Sequence, residues 1–174
     1  ITSSLDKIIV VPILGFTVLA NYQLSLQILT FLWIVPAILY QYILPLDSSG
    51  IPNKKLKIGT VVLTILLVVA IIILAPIIIP ILFPKFLDAI QLIQIVSISI
   101  IPNSIHIIYV SKFLGQEKSR IVLNASIIFV IVQISLILIL GMIFGIIGIA
   151  SSLVISSAFQ MCFSKTHINR VSQK

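Results

Sequence analysis

Residues 121–164 read IVLNASIIFVIVQISLILILGMIFGIIGIASSLVISSAFQMCFS, a run of 44 residues without Asp, Glu, Lys or Arg. Three more uncharged runs precede it, residues 8–46, 58–84 and 89–111, with lengths of 39, 27 and 23 residues. A helix crosses a hydrocarbon core of about 30 Å with roughly 20 residues. Each run is therefore long enough to span a bilayer, and the longest is long enough to span it twice.

The composition also indicates a membrane protein. Hydrophobic residues make up 60% of the chain and charged residues only 9%, and the mean hydropathy is +1.30. So few charged residues cannot supply the water-facing surface of a soluble domain of this length. The sequence predicts an all-α fold, a polytopic bundle of transmembrane helices.

Turn residues and prolines divide the uncharged runs into six predicted helices, of which the first is partial. It ends in a break at residues 15–22. The five complete helices are predicted at about 23–44, 57–81, 88–110, from 119 to a break at 141–148, and from that break to 163. We expect a polar loop from Pro45 to Asn53. The third helix should end through Pro76, Pro80 and Pro84, because proline lacks the amide donor and clashes with the preceding turn.

The predicted domain organisation is most of one six-helix lobe in residues 1–163, followed by a basic tail in residues 164–174. The chain begins with Ile1 inside a helix-like segment, and it shows no basic n-region or small-residue cleavage site. We therefore expect it to be the C-terminal part of a longer protein.

Basic residues predict the orientation. Nine of the 11 lie in three segments that six helices would place on one membrane face: Lys54, Lys55, Lys57; Lys112, Lys118, Arg120; and Lys165, Arg170, Lys174. The opposite face would carry only Lys85. Because cytoplasmic loops are enriched in Lys and Arg, loops 46–56 and 112–119 and the C-terminus are predicted to be cytoplasmic in a multi-pass protein of the cell membrane.

The same distribution bears on other function classes. The net charge of +7 does not indicate nucleic-acid binding, because the cations lie in short loops beside apolar runs. Cys162 is the single cysteine of the sequence and has no Cys or His at metal-ligand spacing, so we expect neither a metal site nor a cofactor.

Small residues recur around the last predicted break. They are Gly141, Gly145, Gly148, Ser152 and Ser156. Small side chains at such spacing let helix backbones approach closely in lipid, where packing replaces the hydrophobic effect. Static helix packing is one interpretation, and sliding of helices during transport is the other.

Three segments resemble motifs of polysaccharide flippases, members of the multidrug/oligosaccharidyl-lipid/polysaccharide superfamily. Residues 6–22 (DKIIVVPILGFTVLANY) are similar to a helix end and loop in which an acidic residue and Gly precede a Gly-x-Tyr element, although Ala20 replaces the second glycine. Residues 145–150 (GIIGIA) resemble the Gly-x-x-Gly-Ala-Ala opening of the last helix.

The third segment, residues 80–95 (PILFPKFLDAIQLIQI), is similar to a Leu-Phe-Gly-x-x-Tyr-x-x-Ala element. Phe83 stands at the glycine, Phe86 at the tyrosine and Ala89 at the alanine. Helix number, loop length and charge pattern extend the similarity over the chain. The resemblance implies a lobe of a two-lobed flippase that moves a polyprenyl-linked oligosaccharide by alternating access, with membrane lipids and a missing N-terminal lobe as partners.

Such a flippase needs polar groups in its cavity, and Asp6 and Lys7 are the first candidates. If the first helix ends near Gly15, both lie about 13 Å from the outer interface, near the bilayer midplane. They should then face the bundle interior, with Lys7 as the preferred contact for the substrate phosphate. If the helix instead runs on to Ala20, both are snorkelling groups near the cytoplasmic interface.

Five further cavity candidates lie on two predicted helices. Ser99, Asn103 and His106 form one helical stripe beside Pro102, and Gln27 and Thr30 form another near the outer end of their helix. The first stripe has an alternative role in hydrogen bonding between helices, and the second is equally explained by interfacial hydration.

Other functions stay open at this point. An enzyme needs clustered carboxylates or a metal motif, whereas the four acids Asp6, Asp47, Asp88 and Glu117 are scattered over four segments. We therefore predict no enzymatic activity. A cation-coupled drug exporter of the same superfamily and a non-catalytic scaffold subunit of a membrane complex remain the alternatives.

Overall fold

The computed structural model describes residues 16–171, and the side chains of residues 19–168. This part of the chain contains no strand. Its five helices are α1 (Phe16–Ser48), α2 (Lys54–Leu82), α3 (Ala89–Ile98), α4 (Ile100–Gly115) and α5 (Ser119–Val171). The predicted all-α class is confirmed.

Four helical stretches of the described residues are long and apolar enough to cross a membrane: Leu19–Ser48, Lys54–Leu82, Ala89–Gly115 and Ser119–Ile168. Six spans were predicted, and the counts differ for two reasons. The partial first span lies outside the described residues, and the predicted fifth and sixth spans are joined in α5. The count of six stays a prediction.

Helix α5 bends back on itself at Gly145. This residue has a non-helical conformation, with φ 60° and ψ −137°. Gln133, before the bend, is hydrogen-bonded to Ser152 and Ser156 after it. In one straight helix, positions 133 and 156 would be about 35 Å apart. The two arms of α5 are therefore antiparallel, and the bend lies within the break predicted at residues 141–148.

Both predicted ends of α1 are wrong. Residues 16–22, where a break was predicted, are the first residues of α1. At its other end α1 continues through Pro45 to Ser48. The end of α2 at Leu82 agrees with the predicted end near residue 81, and the helix is continuous through Pro76 and Pro80.

A hydrogen bond from α3 explains how α2 continues through its first proline. Pro76 has no amide to donate to the carbonyl of Ile72, four residues earlier. The side-chain Nε2 of Gln94 donates to that carbonyl at 3.0 Å. A proline inside a membrane helix is tolerated when a neighbouring helix bonds the freed carbonyl in this way.

The predicted single helix at 88–110 is divided into α3 and α4. The division falls at Ser99, whose backbone amide donates to the carbonyl of Val96 at 3.0 Å in a tighter turn. Pro102 cannot donate to the carbonyl of Ile98, so the regular helical bonding is interrupted at this point.

Buried apolar side chains connect the helices. Tyr22 of α1 packs with Ile137 and Ile149, one from each arm of α5. A second cluster joins α2 to α3 through Ala75, Ile79, Ala89 and Ile93. Many large apolar side chains remain exposed on the outside, which is the surface expected of helices that lie in lipid.

Candidate functional site

Polar side chains of α1 and α4 meet in a cleft between these helices. Its inner part is a cavity of about 160 Å³ lined by Leu29, Thr30, Trp33, Ile100 and Asn103. Its outer part is a groove of about 360 Å³ on the surface of α1 alone, lined by Gln27, Thr30, Phe31 and Ile34. Thr30 lines both parts, and we call the two together the α1 cleft.

The α1 cleft contains hydrogen-bonding groups that are not used within the described residues. The Thr30 hydroxyl donates to the carbonyl of Leu26 at 2.9 Å and keeps its own oxygen as an acceptor. The side-chain amides of Gln27 and Asn103 have no hydrogen-bond partner in residues 19–168. Gln27 and Thr30 share a helical face because they are three residues apart. The cleft can therefore donate to, and accept from, a ligand with several hydroxyl groups.

The stripe predicted on residues 99–106 is divided between different neighbours. Asn103 faces α1 across the cleft. His106 turns to the second arm of α5, where its Nδ1 lies 2.9 Å from the hydroxyl oxygen of Ser164. Ser99 is buried, and its hydroxyl donates to the carbonyl of Val96 at 2.7 Å. Of the three residues, only Asn103 lines the cleft.

Asp6 and Lys7 lie outside the described residues. The proposed contact between Lys7 and a substrate phosphate therefore stays a prediction.

The predicted packing residues lie at the bend of α5. A Cβ atom added to Gly141 would lie 3.2 Å from the side chain of Ile149 in the other arm. Ser152 and Ser156 are bonded to Gln133, which is itself buried. Sequence reasoning missed Gln133, although it is the only Gln in the first arm of α5 and is surrounded by apolar residues.

A second polar cluster has Asp47 at its centre, near the C-terminal end of α1. Its Oδ1 lies 2.6 Å from the Nζ of Lys57 and accepts a hydrogen bond from Asn53 Nδ2 at 2.9 Å. Its Oδ2 accepts a hydrogen bond from the hydroxyl of Ser111 at 2.7 Å. The side chain of Asp47 is only 9% exposed. This one carboxylate therefore ties together the end of α1, the start of α2 and the last turns of α4.

The same end of the bundle holds the lysine cavity, a space of about 450 Å³. Its lining residues are Asp47, Gly50, Ile51, Pro52, Asn53, Lys54, Lys57, Lys112 and Gln116. The sequence identified these lysines as topology signals and left Asp47 and Ser111 without a role. The spacing of Lys57 ten residues after Asp47, across a short turn, was the available signal for the ion pair.

No family model, curated protein or solved structure gives a significant match to this chain. The similarity to polysaccharide flippases therefore stays a prediction from the sequence. The α1 cleft and the lysine cavity are the two structural features from which a function is inferred.

Proposed function

We propose that this chain is the C-terminal lobe of a transporter that moves a polyprenyl-linked oligosaccharide across the cell membrane by alternating access. The observation that supports the proposal is the α1 cleft, where Gln27, Thr30 and Asn103 place polar groups on helical stretches that are apolar enough to cross a membrane. Polar groups within a membrane are costly unless they pair or contact water. A polar surface of this kind suits a path for a hydrophilic molecule.

The chemistry of the cleft matches a sugar better than a purely apolar ligand. Each amide of Gln27 and Asn103 offers both donors and an acceptor, as sugar hydroxyl groups require. Trp33 and Phe31 add aromatic faces beside them. The transport step breaks no covalent bond, so the site needs no nucleophile and no acid–base pair.

The exposure of Gln27 and Thr30 also suits a two-lobed transporter. Both side chains lie at the surface of the described bundle. Transporter folds with repeated halves form their substrate site between the halves. A second lobe facing α1 would enclose the groove, which on this lobe alone is shallow.

Replacing Asn103 with leucine should reduce transport at least tenfold, because the amide is replaced by a side chain of similar size that cannot hydrogen-bond a sugar. One lost hydrogen bond of about 1.4 kcal/mol corresponds to that factor. The measurement is translocation of a lipid-linked oligosaccharide by the full-length protein in proteoliposomes, with complementation of a flippase-deficient strain.

Asn124→Leu is the matched control, since Asn124 is an exposed asparagine on α5 that does not line the cleft. Wild-type transport by Asn103→Leu would show that the cleft is not the substrate path. Loss of drug efflux with no effect on the oligosaccharide would favour the drug exporter instead.

The proposed orientation, with the C-terminus in the cytoplasm, is tested by thiol labelling. Lys55 lies in the first turn of α2, Lys85 lies beyond its C-terminal end, and both side chains are exposed. In a Cys162→Ala background, a membrane-impermeant maleimide should label Lys85→Cys in intact cells and Lys55→Cys only after the membrane is opened. The reverse pattern would invert the topology.

A further inference from the structure

We propose that the lysine cavity is a binding site for the phosphate group of an anionic phospholipid. The site is separate from the α1 cleft, and the proposal does not depend on the transported substrate. Its volume of about 450 Å³ lies within the range of small-molecule sites.

The charge of the cavity is the first argument. Three lysines line it, and Asp47 is the only carboxylate among its lining residues. Lys57 is paired with Asp47, whereas Lys54 and Lys112 form no ion pair within the described residues. The lining therefore carries two positive charges in excess. Basic pockets between transmembrane helices on the cytoplasmic side are typical sites for anionic lipid headgroups.

The fold brings these charges together from distant parts of the chain. Lys54 begins α2, and Lys112 lies in the last turn of α4. The bonds from Asp47 to Lys57 and Ser111 fix the two helices beside each other. Gly115 lets the end of α4 approach the end of α1 closely, since a Cβ atom added there would lie 2.9 Å from the backbone carbonyl carbon of Asp47. Lys54 and Lys112 therefore line the same cavity, and a phosphate bound there would add a negative charge to a lining with excess positive charge.

The start of α2 adds to the positive field. Asn53 is the N-cap residue, but its side chain makes no capping hydrogen bond. Its amide is instead bonded to Asp47 and to the carbonyl of Ile43. The positive end of the α2 dipole therefore adjoins the cavity without a capping side chain.

The surface beside the cavity favours a lipid over a free phosphate ion. Ile58, Val62 and Leu66 follow Lys54 at four-residue intervals along α2, and their side chains are 53%, 50% and 60% exposed. Residues at this spacing share a helical face. The lysine therefore lies at one end of an exposed apolar stripe. A phospholipid has a matching arrangement, with its phosphate at one end of two acyl chains. Ile51, at the cavity itself, is another exposed apolar residue.

The test measures lipid binding to the full-length protein in neutral detergent by native mass spectrometry. Phosphatidylglycerol and phosphatidylcholine are titrated separately. The double variant Lys54→Gln/Lys112→Gln should bind phosphatidylglycerol at least tenfold more weakly, with binding of phosphatidylcholine unchanged. Lys57 is left intact in this variant so that its pair with Asp47 continues to hold the helices together.

The matched control is Lys55→Gln/Lys118→Gln, which removes the same charge from the same end of the bundle without touching the cavity lining. It should change phosphatidylglycerol binding less than twofold. An equal loss of phosphatidylglycerol binding in both double variants would show that the lipid responds only to the overall surface charge, and it would overturn the proposal. Displacement of the lipid by inorganic phosphate at equal concentration would overturn the lipid assignment in favour of a soluble anion. If the double variant folds poorly, Lys54→Gln alone tests the same site, because Lys54 is exposed.

Discussion

Replacing Gly148 with alanine is expected to prevent the two arms of α5 from packing and to leave little folded protein in the membrane. A Cβ atom at position 148 would lie far inside van der Waals contact with the backbone carbonyl oxygen of Leu140, in the opposite arm. A backbone atom cannot rotate away as the end of a flexible side chain can. We expect a cost of about 3 kcal/mol or more, the upper end of the range for overpacking.

Gly59→Ala is the matched control for this substitution. Gly59 lies inside α2, and a Cβ atom added there has no atom within 4 Å. Alanine should be tolerated or stabilising there by up to about 1 kcal/mol, from helix propensity alone. The yield and the thermal midpoint of detergent-solubilised protein measure both variants. A normal yield of Gly148→Ala would contradict the close approach of the two arms.

Asp47→Asn should lower the stability of the folded protein by about 2–4 kcal/mol, because it removes the charge that Lys57, Asn53 and Ser111 all contact. The amide can accept one of these hydrogen bonds, but it leaves the ammonium group of Lys57 unpaired. Because Asp47 joins α1, α2 and α4, hydrogen exchange should quicken in the turn at residues 49–53.

Asp88→Asn makes the same chemical change at an exposed residue that has no ion pair in the described part of the chain. Its thermal midpoint should match that of the wild type. If the two variants unfold at the same temperature, the Asp47 contacts contribute little to stability and the cluster serves some other purpose.

The four long apolar helical stretches could be predicted because their signal is local. An uncharged run of 20 or more residues satisfies the length of a bilayer whatever its neighbours are. The continuity of α2 through Pro76 could not be explained in the same way. Pro76 indicates a helix end when its own segment is considered alone, and the amide that compensates for it belongs to Gln94 of another helix.

The candidate site shows the same limit. The spacing of Ser99, Asn103 and His106 predicts one shared helical face. In the structure the helix is divided at Ser99, Asn103 lies beside α1 and His106 contacts α5. Isoleucine is abundant on lipid-facing and buried surfaces alike, so hydrophobicity cannot identify which face packs against which helix. The meeting of Lys54 and Lys112 is likewise a product of tertiary structure.

The hydrogen bond between Gln94 and the carbonyl of Ile72 also has a mechanical consequence. A proline inside a helix is usually a hinge, because the missing bond lowers the resistance to bending there. Here Gln94 of α3 bonds the carbonyl that Pro76 leaves free in α2. Ala75, Ile79, Ala89 and Ile93 pack the same two helices against each other. We therefore expect α2 and α3 to move as one rigid body, with the hinge at the break at Ser99.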